Sequence, residues 1–292
     1  MNTQPEKNNN ESTGTKKLTP YEIFRRVMLT IFILAFVAAS IMLVKHIADY
    51  VEARKMTSIT IDGISGIIKP PSENNIGGDP VIKDTSTGND TEEKNPEYSE
   101  YFLQCLEEIR KMKEQYPDFV GYIQIEGLDI LYPIVQGKDN DYYLNHIING
   151  VVNQRGEIYM DCRNDRNRVY NNRNVILYGH NLIDGTKFHN LQKYKEADNF
   201  YSCPVTLITE EGIFTFTPFS FYQTNSTSMY DRLSFATDGL FKGFCDISQG
   251  MSMHESNIEF TGKETIITLS TCVTYGSSKR WCLQAVLTDV SH

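Results

Sequence analysis

The chain has 292 residues, of which 40% are hydrophobic and 22% are charged, and its formal net charge is −9. This is the composition of a globular protein with length for one or two domains, and its acidic balance argues against nucleic acid as a partner. Six cysteines are scattered without a CxxC pair, a pattern that predicts no zinc site and no disulfide framework but leaves room for one or two bridges. We expect no cofactor and no metal.

The first element is an apolar segment, residues 27–44, which contains eighteen residues and no charge. A helix of this length approaches the ~30 Å hydrocarbon core of a bilayer, so it can span a membrane. Basic residues at positions 16, 17, 25 and 26 precede it, and the positive-inside rule then places residues 1–26 in the cytoplasm. We predict a single-pass protein of the cell membrane with its remaining domain outside. A cleaved signal peptide and a buried core helix are the alternatives, and the length of the apolar run argues against cleavage.

Residues 45–94 are predicted to form an extracellular stalk or linker, because proline, glycine and small polar residues dominate their second half. The globular domain is predicted to cover residues 95–292. Its first helix is predicted to begin at residues 95–97, where asparagine, proline and glutamate are typical of a helix start. Pro117 then ends a stripe of apolar residues with helical spacing.

Beyond Pro117 the hydrophobic pattern has a period of two, which indicates strands. The nine candidate strands are residues 119–125, 130–135, 157–161, 174–178, 205–209, 213–222, 258–260, 265–272 and 281–288. A long insertion separates the sixth and seventh candidates, and residues 238–249 within it have the spacing of a helix. Many short strands with few helices predict a mostly β domain, either a closed barrel or a sandwich.

Two of the apolar runs deliver a reactive side chain at their ends. One run ends at Cys272, and another is followed by a glycine and His180. A cysteine thiol, with a pKa near ~8.5, needs a neighbouring base or cation to react as a thiolate at neutral pH. Arg280 begins the apolar run after Cys272, so a hairpin would bring its guanidinium beside the thiol, where it can donate two hydrogen bonds to an oxyanion.

The stretch Thr-Leu-Ser-Thr-Cys that ends at Cys272, with Arg280 eight residues later, resembles the active-site signature of the sortases. These are membrane-anchored cysteine transpeptidases of Gram-positive bacteria. The stretch Leu-Tyr-Gly-His-Asn around His180 is similar to the histidine motif of the family, and the short loop between Cys272 and Arg280 is most like class B. The resemblance covers roughly residues 98–289. It implies a closed eight-stranded barrel with an N-terminal helix and a helix in the long insertion.

The resemblance also implies roles for individual residues. Cys272 would attack the Thr carbonyl of a C-terminal sorting signal in a secreted protein and form a thioacyl intermediate. His180 would act as acid and base, and Arg280 would hold the oxyanion. Ser270 and Tyr178, each two residues before a reactive side chain, would bind substrate, although ordinary structural roles stay open for both. A peptidoglycan precursor amine would then accept the acyl group.

Other readings of the same residues compete with this one. His189, nine residues after the proposed base and expected to begin a surface helix, is the second candidate for that role. Another cell-wall cysteine hydrolase or transpeptidase is an alternative function, but the Ser-His-Gly-Cys element of the L,D-transpeptidases is absent. A catalytically idle surface scaffold is the other alternative, and it would not need Cys272, His180 and Arg280 together.

Overall fold

The computed structural model describes residues 18–68, 98–225, 227–274 and 277–292. The chain divides into two compact units, Met1–Asp49 and Tyr50–His292. The predicted helix start at residues 95–97 and the second half of the predicted linker, residues 69–94, lie outside the described residues.

Helix α1 runs from Pro20 to Ser65 and contains the apolar residues 27–44. In the first unit the apolar side chains of this helix are exposed, as at Phe32 (70%) and Val44 (67%). Among the described residues, α1 is the one helix whose length and apolar composition suffice to cross a membrane. The first unit therefore holds a candidate membrane span at the predicted position.

In the second unit the last turns of α1 belong to the folded domain. Ile64 is fully buried and shares a hydrophobic cluster with Phe102 and Ile109 of helix α2 (Glu100–Gln115). The Tyr122 hydroxyl donates a hydrogen bond to the carbonyl oxygen of Thr60 at 2.9 Å. The sequence predicts a linker at residues 45–94, but α1 continues to Ser65 and its last turns pack on the domain. Their short apolar stripe becomes part of the core because α2 lies beside it.

We expect Ile64→Ala to lower the free energy of unfolding of the domain by about 2–4 kcal/mol, because it leaves a cavity in a fully buried cluster. Ile59→Ala is the matched control, since Ile59 is on the same helix but 48% exposed. Urea denaturation of both variants measures the difference. Equal destabilisation by the two substitutions would contradict the packing of α1 on the domain.

The barrel begins after α2, whose N-cap is Ser99, with its Oγ accepting the Phe102 N–H at 3.1 Å. The eight strands are β1 (Phe119–Ile125), β2 (Ile130–Val135), β3 (Ile158–Met160), β4 (Asn174–Tyr178), β5 (Val205–Thr209), β6 (Ile213–Thr224), β7 (Ile266–Cys272) and β8 (Arg280–Ser291). They close in the order β1-β2-β3-β4-β7-β8-β6-β5. The β2–β3 and β4–β7 pairs are parallel and the others antiparallel. The predicted closed eight-stranded barrel is confirmed.

Eight of the nine candidate strands form, and residues 258–260 do not. Phe260 is instead buried in a small cluster, where its ring contacts that of Phe219 with centroids 4.8 Å apart. The apolar alternation of residues 258–260 therefore reflects packing beneath the insertion helix rather than strand pairing. That helix, α4 (Asp238–Gly250), follows the short helix α3 (Ala197–Ser202) and confirms the predicted helix in the insertion.

Candidate active site

The ends of β4 and β7 bring two of the predicted residues to one edge of the barrel. The strands are parallel, with Tyr178 opposite Ser270, and the Gly179 N–H continues the ladder to the Ser270 carbonyl at 3.2 Å. His180 and Cys272 each follow this pair by two residues. Since paired strands lie about 4.8 Å apart, His180 and Cys272 emerge side by side.

Arg280 reaches the same edge from the other side of β7. It is the first residue of β8 and lies opposite Cys272 in the antiparallel β7–β8 pair. Its Nη1 donates to the carbonyl of Ser277 in the connecting loop at 2.6 Å. No carboxylate of the described residues forms an ion pair with Arg280. The guanidinium thus brings an uncompensated positive charge to the end of the strand that carries the thiol.

The ring of His180 is oriented by a backbone carbonyl. Its Nε2 lies 2.7 Å from the carbonyl oxygen of Leu144, and a carbonyl can only accept, so Nε2 carries the proton and Nδ1 is the free nitrogen of the neutral ring. Burial lowers the pKa of His180; the Leu144 carbonyl opposes this effect, whereas the positive charges of Lys187 and Arg280 add to it. The neutral, proton-accepting form is therefore favoured.

Two glycines let the backbone approach this region closely. Gly179, the glycine before His180, does not have its φ in the left-handed region, but a Cβ there would lie 2.7 Å from the Phe188 ring. Gly156 has φ +54°, and a Cβ there would lie 3.1 Å from Cδ2 of His180. Space, rather than turn conformation alone, excludes larger side chains beside His180.

The loop that follows His180 is tied to the chain before β3 by two ion pairs. Arg155 pairs with Asp184 near the tip of the loop. At its base Lys187 pairs with Glu157, and both side chains are almost fully buried, at 3% and 1% exposure. Lys187 has φ +57°, in the left-handed region that is unusual for a residue other than glycine. The buried pair therefore holds the returning end of the histidine loop in a backbone conformation that the residue alone disfavours.

We expect Lys187→Met to lower the free energy of unfolding by about 3–5 kcal/mol, because it leaves the Glu157 carboxylate buried without its partner. The double variant Lys187→Met/Glu157→Gln should recover most of that loss, since no unpaired charge remains. Lys242→Met is the matched control, because Lys242 pairs with Asp246 on the surface of α4 and should matter little. Chemical denaturation measures the free energy of unfolding of each variant. If Lys187→Met were as stable as the double variant, this role of the pair would be contradicted.

All six cysteines are free thiols, and only Cys272 lies at this edge of the barrel. Burial raises the pKa of Cys105 to about 11, and those of Cys245 and Cys282 to about 12. Burial also raises the pKa of Cys162, and Cys203 is buried. None of the described thiols belongs to a cluster of three or more His, Cys, Asp or Glu side chains that could hold a metal ion.

Tyr178 lies beside the site, half-buried, and is held by a carboxylate that the sequence did not single out. Its hydroxyl donates to Oδ2 of Asp161 at 2.9 Å, and the same oxygen accepts from Nδ2 of Asn140 at 3.0 Å. Burial alone would raise the pKa of Asp161, but hydrogen bonds from Arg163 and Tyr178 outweigh it and hold that pKa below its ordinary value. An ionised Asp161 thus fixes two polar side chains on one side of the site.

Ser270 is in the predicted position but is buried, with 2% of its surface exposed. Its Oγ donates to the hydroxyl of Tyr230 at 2.9 Å. This bond turns the serine toward the long connection between β6 and α4. In this structure Ser270 supports Tyr230, and direct contact between Ser270 and a substrate remains a prediction.

His189 begins a 3-10 helix, His189–Lys195, as the sequence led us to expect for a surface helix. Both of its ring nitrogens have side-chain partners: Nδ1 lies 2.7 Å from Oδ1 of Asn181, and Nε2 lies 2.9 Å from Nε2 of Gln192. Asn181 was missed in the sequence, although it directly follows His180. These contacts indicate that His189 orients the Asn181 side chain and does not serve as a second base.

Comparison with known proteins agrees with this geometry. A family model described as a sortase domain matches residues 123–288. Sortase B of Listeria monocytogenes is 35% identical over 170 residues, covering 58% of this chain and 68% of that protein. Sortase B of Staphylococcus aureus is 34% identical over 181 residues, covering 61% of this chain and 70% of that protein.

The resemblance extends to the fold. A solved Staphylococcus aureus sortase B–substrate complex superimposes with a TM-score of 0.59 and 31% identity, covering 64% of this chain and 87% of that chain. Since the sortase domain model also spans more than half of the sequence, this chain belongs to the sortase family of cysteine transpeptidases and is most similar to class B.

Proposed function

We propose that this sortase cleaves the C-terminal sorting signal of secreted proteins and joins the new carboxyl end to an amine of the cell wall. Cys272 is the nucleophile, His180 the acid and base, and Arg280 the donor to the oxyanion. Tyr178 and Ser270 contribute to substrate binding, Tyr178 at the surface of the site and Ser270 from beneath it through Tyr230. The acceptor is the amine of a peptidoglycan precursor.

The reaction has two acyl transfers. In the first, the Cys272 thiolate attacks the carbonyl carbon of the scissile Thr peptide bond, and Arg280 donates hydrogen bonds to the oxyanion that forms. Neutral His180 takes the proton of the Cys272 thiol at Nδ1 and gives it to the departing amine, which leaves a thioester on Cys272. In the second, neutral His180 takes a proton from the incoming amine as its nitrogen attacks the thioester. The amide product forms and the thiolate departs.

The observation that supports this assignment best is the strand register. Tyr178 pairs with Ser270, so His180 and Cys272 both follow that pair by two residues at the same edge of the barrel. Cys272 pairs with Arg280, which brings a positive charge to this edge. The Leu144 carbonyl fixes the proton on Nε2 of His180, so Nδ1 is the nitrogen available for proton transfer. A structural role alone would not require a thiol, an imidazole and a guanidinium without an ion pair among the described residues at three adjacent strand ends.

The direct test is mass spectrometry of the full-length chain in detergent, incubated with a library of sorting peptides. We expect a thioacyl adduct on Cys272 whose mass equals the peptide portion ending at Thr. Adding an amine acceptor should release it as a peptide–amine product. A cell-wall hydrolase would release only the hydrolysed peptide, and an idle scaffold would form no adduct.

The same proposal assigns a membrane topology. The candidate span at residues 27–44 and its basic N-terminal flank support a cytoplasmic tail at residues 1–26 and an extracellular enzyme. Residues 69–94 would then link the helix end to the catalytic barrel outside a Gram-positive cell. Surface location suits both substrates, because secreted proteins and wall precursors meet there.

We expect external protease, added to intact protoplasts, to remove the domain that follows residue 45 and to leave a small fragment in the membrane. An antibody against residues 1–26 should detect that fragment. The control is the same digestion after lysis, which should also destroy the N-terminal tail. A domain that resists protease until lysis would reverse the proposed orientation.

A further inference from the structure

The side chain of Asn181 joins the strand that carries the histidine to the strand that carries the cysteine. Its Nδ2 donates to the carbonyl oxygen of Cys272 at 2.8 Å and to that of Val273 at 3.0 Å. The backbone ladder between β4 and β7 reaches the Gly179 N–H and the Ser270 carbonyl. Beyond that point the Asn181 side-chain amide supplies the next hydrogen bonds between the two segments.

Two further side chains determine which way this amide faces. Oδ1 of Asn181 accepts from Nδ1 of His189 at 2.7 Å, and Nε2 of His189 accepts from the Gln192 amide at 2.9 Å. Because both backbone carbonyls can only accept, the NH2 group of Asn181 must face them and its oxygen must face His189. The two bonds of the chain Gln192–His189–Asn181 both have a donor and an acceptor when the His189 proton is on Nδ1.

The bonds from Asn181 act on the peptide unit that follows the nucleophile. The Val273 N–H donates to the Lys279 carbonyl at 2.9 Å, while the Cys272 carbonyl on the same peptide unit accepts from Asn181. Both polar groups of this peptide are thus held, which fixes the backbone rotation that aims the Cys272 side chain. Asn181 is also the residue next to His180, so one peptide bond links the base to this anchor.

We propose that Asn181 is a positioning residue that sets the alignment of Cys272 with His180, and that His189 acts through it by orienting its amide. The inference rests on the proposed roles of Cys272 and His180. The NH2 group of Asn181 bonds to two backbone carbonyls, so Asn181 acts through the backbone that follows Cys272. It acts on the rate because a misplacement of reacting groups by about 1 Å can cost as much as 10²-fold.

The test is a double-mutant cycle on the full-length enzyme, with single-turnover formation of the thioacyl adduct and steady-state kcat and KM as readouts. We expect Asn181→Ala to lower the acylation rate and kcat by about 10- to 100-fold, with KM changed less than about twofold. His189→Leu should lower kcat by about 3- to 10-fold, since the amide then loses one orienting partner. The double variant should be no slower than Asn181→Ala, because His189 acts through the amide.

Conservative variants separate positioning from general support of the fold. His189→Asn retains an N–H donor near the position of Nδ1 and should recover most of the rate lost in His189→Leu. Asn181→Asp keeps the acceptor but directs a carboxylate oxygen at two carbonyls, so it should be at least as slow as Asn181→Ala. The matched control is Asn190→Ala, which removes a similar bond to the Leu128 carbonyl and should change thermal stability but not kcat.

Three results would overturn the inference: unchanged kcat in both Asn181 variants, multiplicative losses in the double variant, or no rescue by His189→Asn. If Asn181→Ala fails to fold, the kinetics of His189→Leu, His189→Asn and Asn181→Asp still test the inference. Complete loss of the adduct in His189→Asn would make His189 a base instead. Activity that survives Cys272→Ala would remove the proposed function itself, whereas an inactive Cys272→Ala with fully active Asn181 variants would remove only this inference.

Discussion

Replacing Cys272 by alanine should abolish both sorting-peptide cleavage and the thioacyl adduct, with a loss in kcat of at least about 10⁴-fold. The reason is that burial raises the pKa of four of the other five thiols and the fifth, Cys203, is buried. The thiols of Cys105, Cys245 and Cys282 are buried with raised pKa values, so they carry little thiolate at neutral pH. Steady-state assay and intact-protein mass spectrometry, run on the same sample, measure both losses.

Cys282→Ala is the matched control for that experiment. Cys282 lies opposite Ser270 on β8 and is fully buried, so the same change of side chain two residues from Arg280 should affect stability and not acylation. A methanethiosulfonate reagent should inhibit the wild-type enzyme, and a reductant should restore it. If Cys282→Ala lost activity while Cys272→Ala kept it, the nucleophile would be misassigned.

The reactive strand ends could be predicted because each one is marked locally. An apolar alternating run followed by His180, and another that ends at Cys272, indicate side chains at the rim of a sheet without knowledge of the partner strand. Their pairing could not be derived from the residues, since β4 and β7 are parallel neighbours separated in sequence by two other strands of the barrel, β5 and β6. Closure of the whole barrel decides which ends meet.

Other features lacked a local signal. Lys187 and Glu157 are thirty residues apart, and nothing in their neighbourhoods predicts that two opposite charges become buried together. Asn181 had a weak signal, an amide directly after the histidine at the end of a strand, but its partners lie on β7 and beyond. The end of α1 escaped prediction because Ile64 becomes core only against α2. In each case a partner distant in sequence defines the role.

These long-range ties have a common location. The buried Lys187–Glu157 pair, the bond from His180 to the Leu144 carbonyl and the Asn181 amide all hold the segment around His180. Arg280, by contrast, is held through a carbonyl of its own connecting loop, at Ser277. The segments of His180 and Cys272 are therefore held by contacts distant in sequence, whereas the Arg280 guanidinium rests on a short loop. In the proposed mechanism this lets Arg280 exchange a carbonyl for a substrate oxygen.

That difference leads to the expectation for Arg280→Lys, which should keep the fold and lose about 10²–10³-fold in turnover, the scale of one oxyanion donor. Lysine retains the charge but offers a movable point charge in place of a rigid two-pronged donor. The loss should appear in kcat more than in KM, because the bond to the oxyanion is made in the transition state. Kinetics on a cleavable sorting peptide, beside a thermal melt, measure both quantities.

Arg280→Ala should lose at least as much turnover, and it adds a readout that depends on charge. The positive charge of Arg280 helps to lower the pKa of His180, so its removal should raise that pKa and move the His180 limb of the kcat/KM profile to higher pH. Arg280→Lys should leave the limb in place. Near-normal turnover of Arg280→Lys, or an Arg280→Ala protein that no longer folds, would take Arg280 out of the catalytic set.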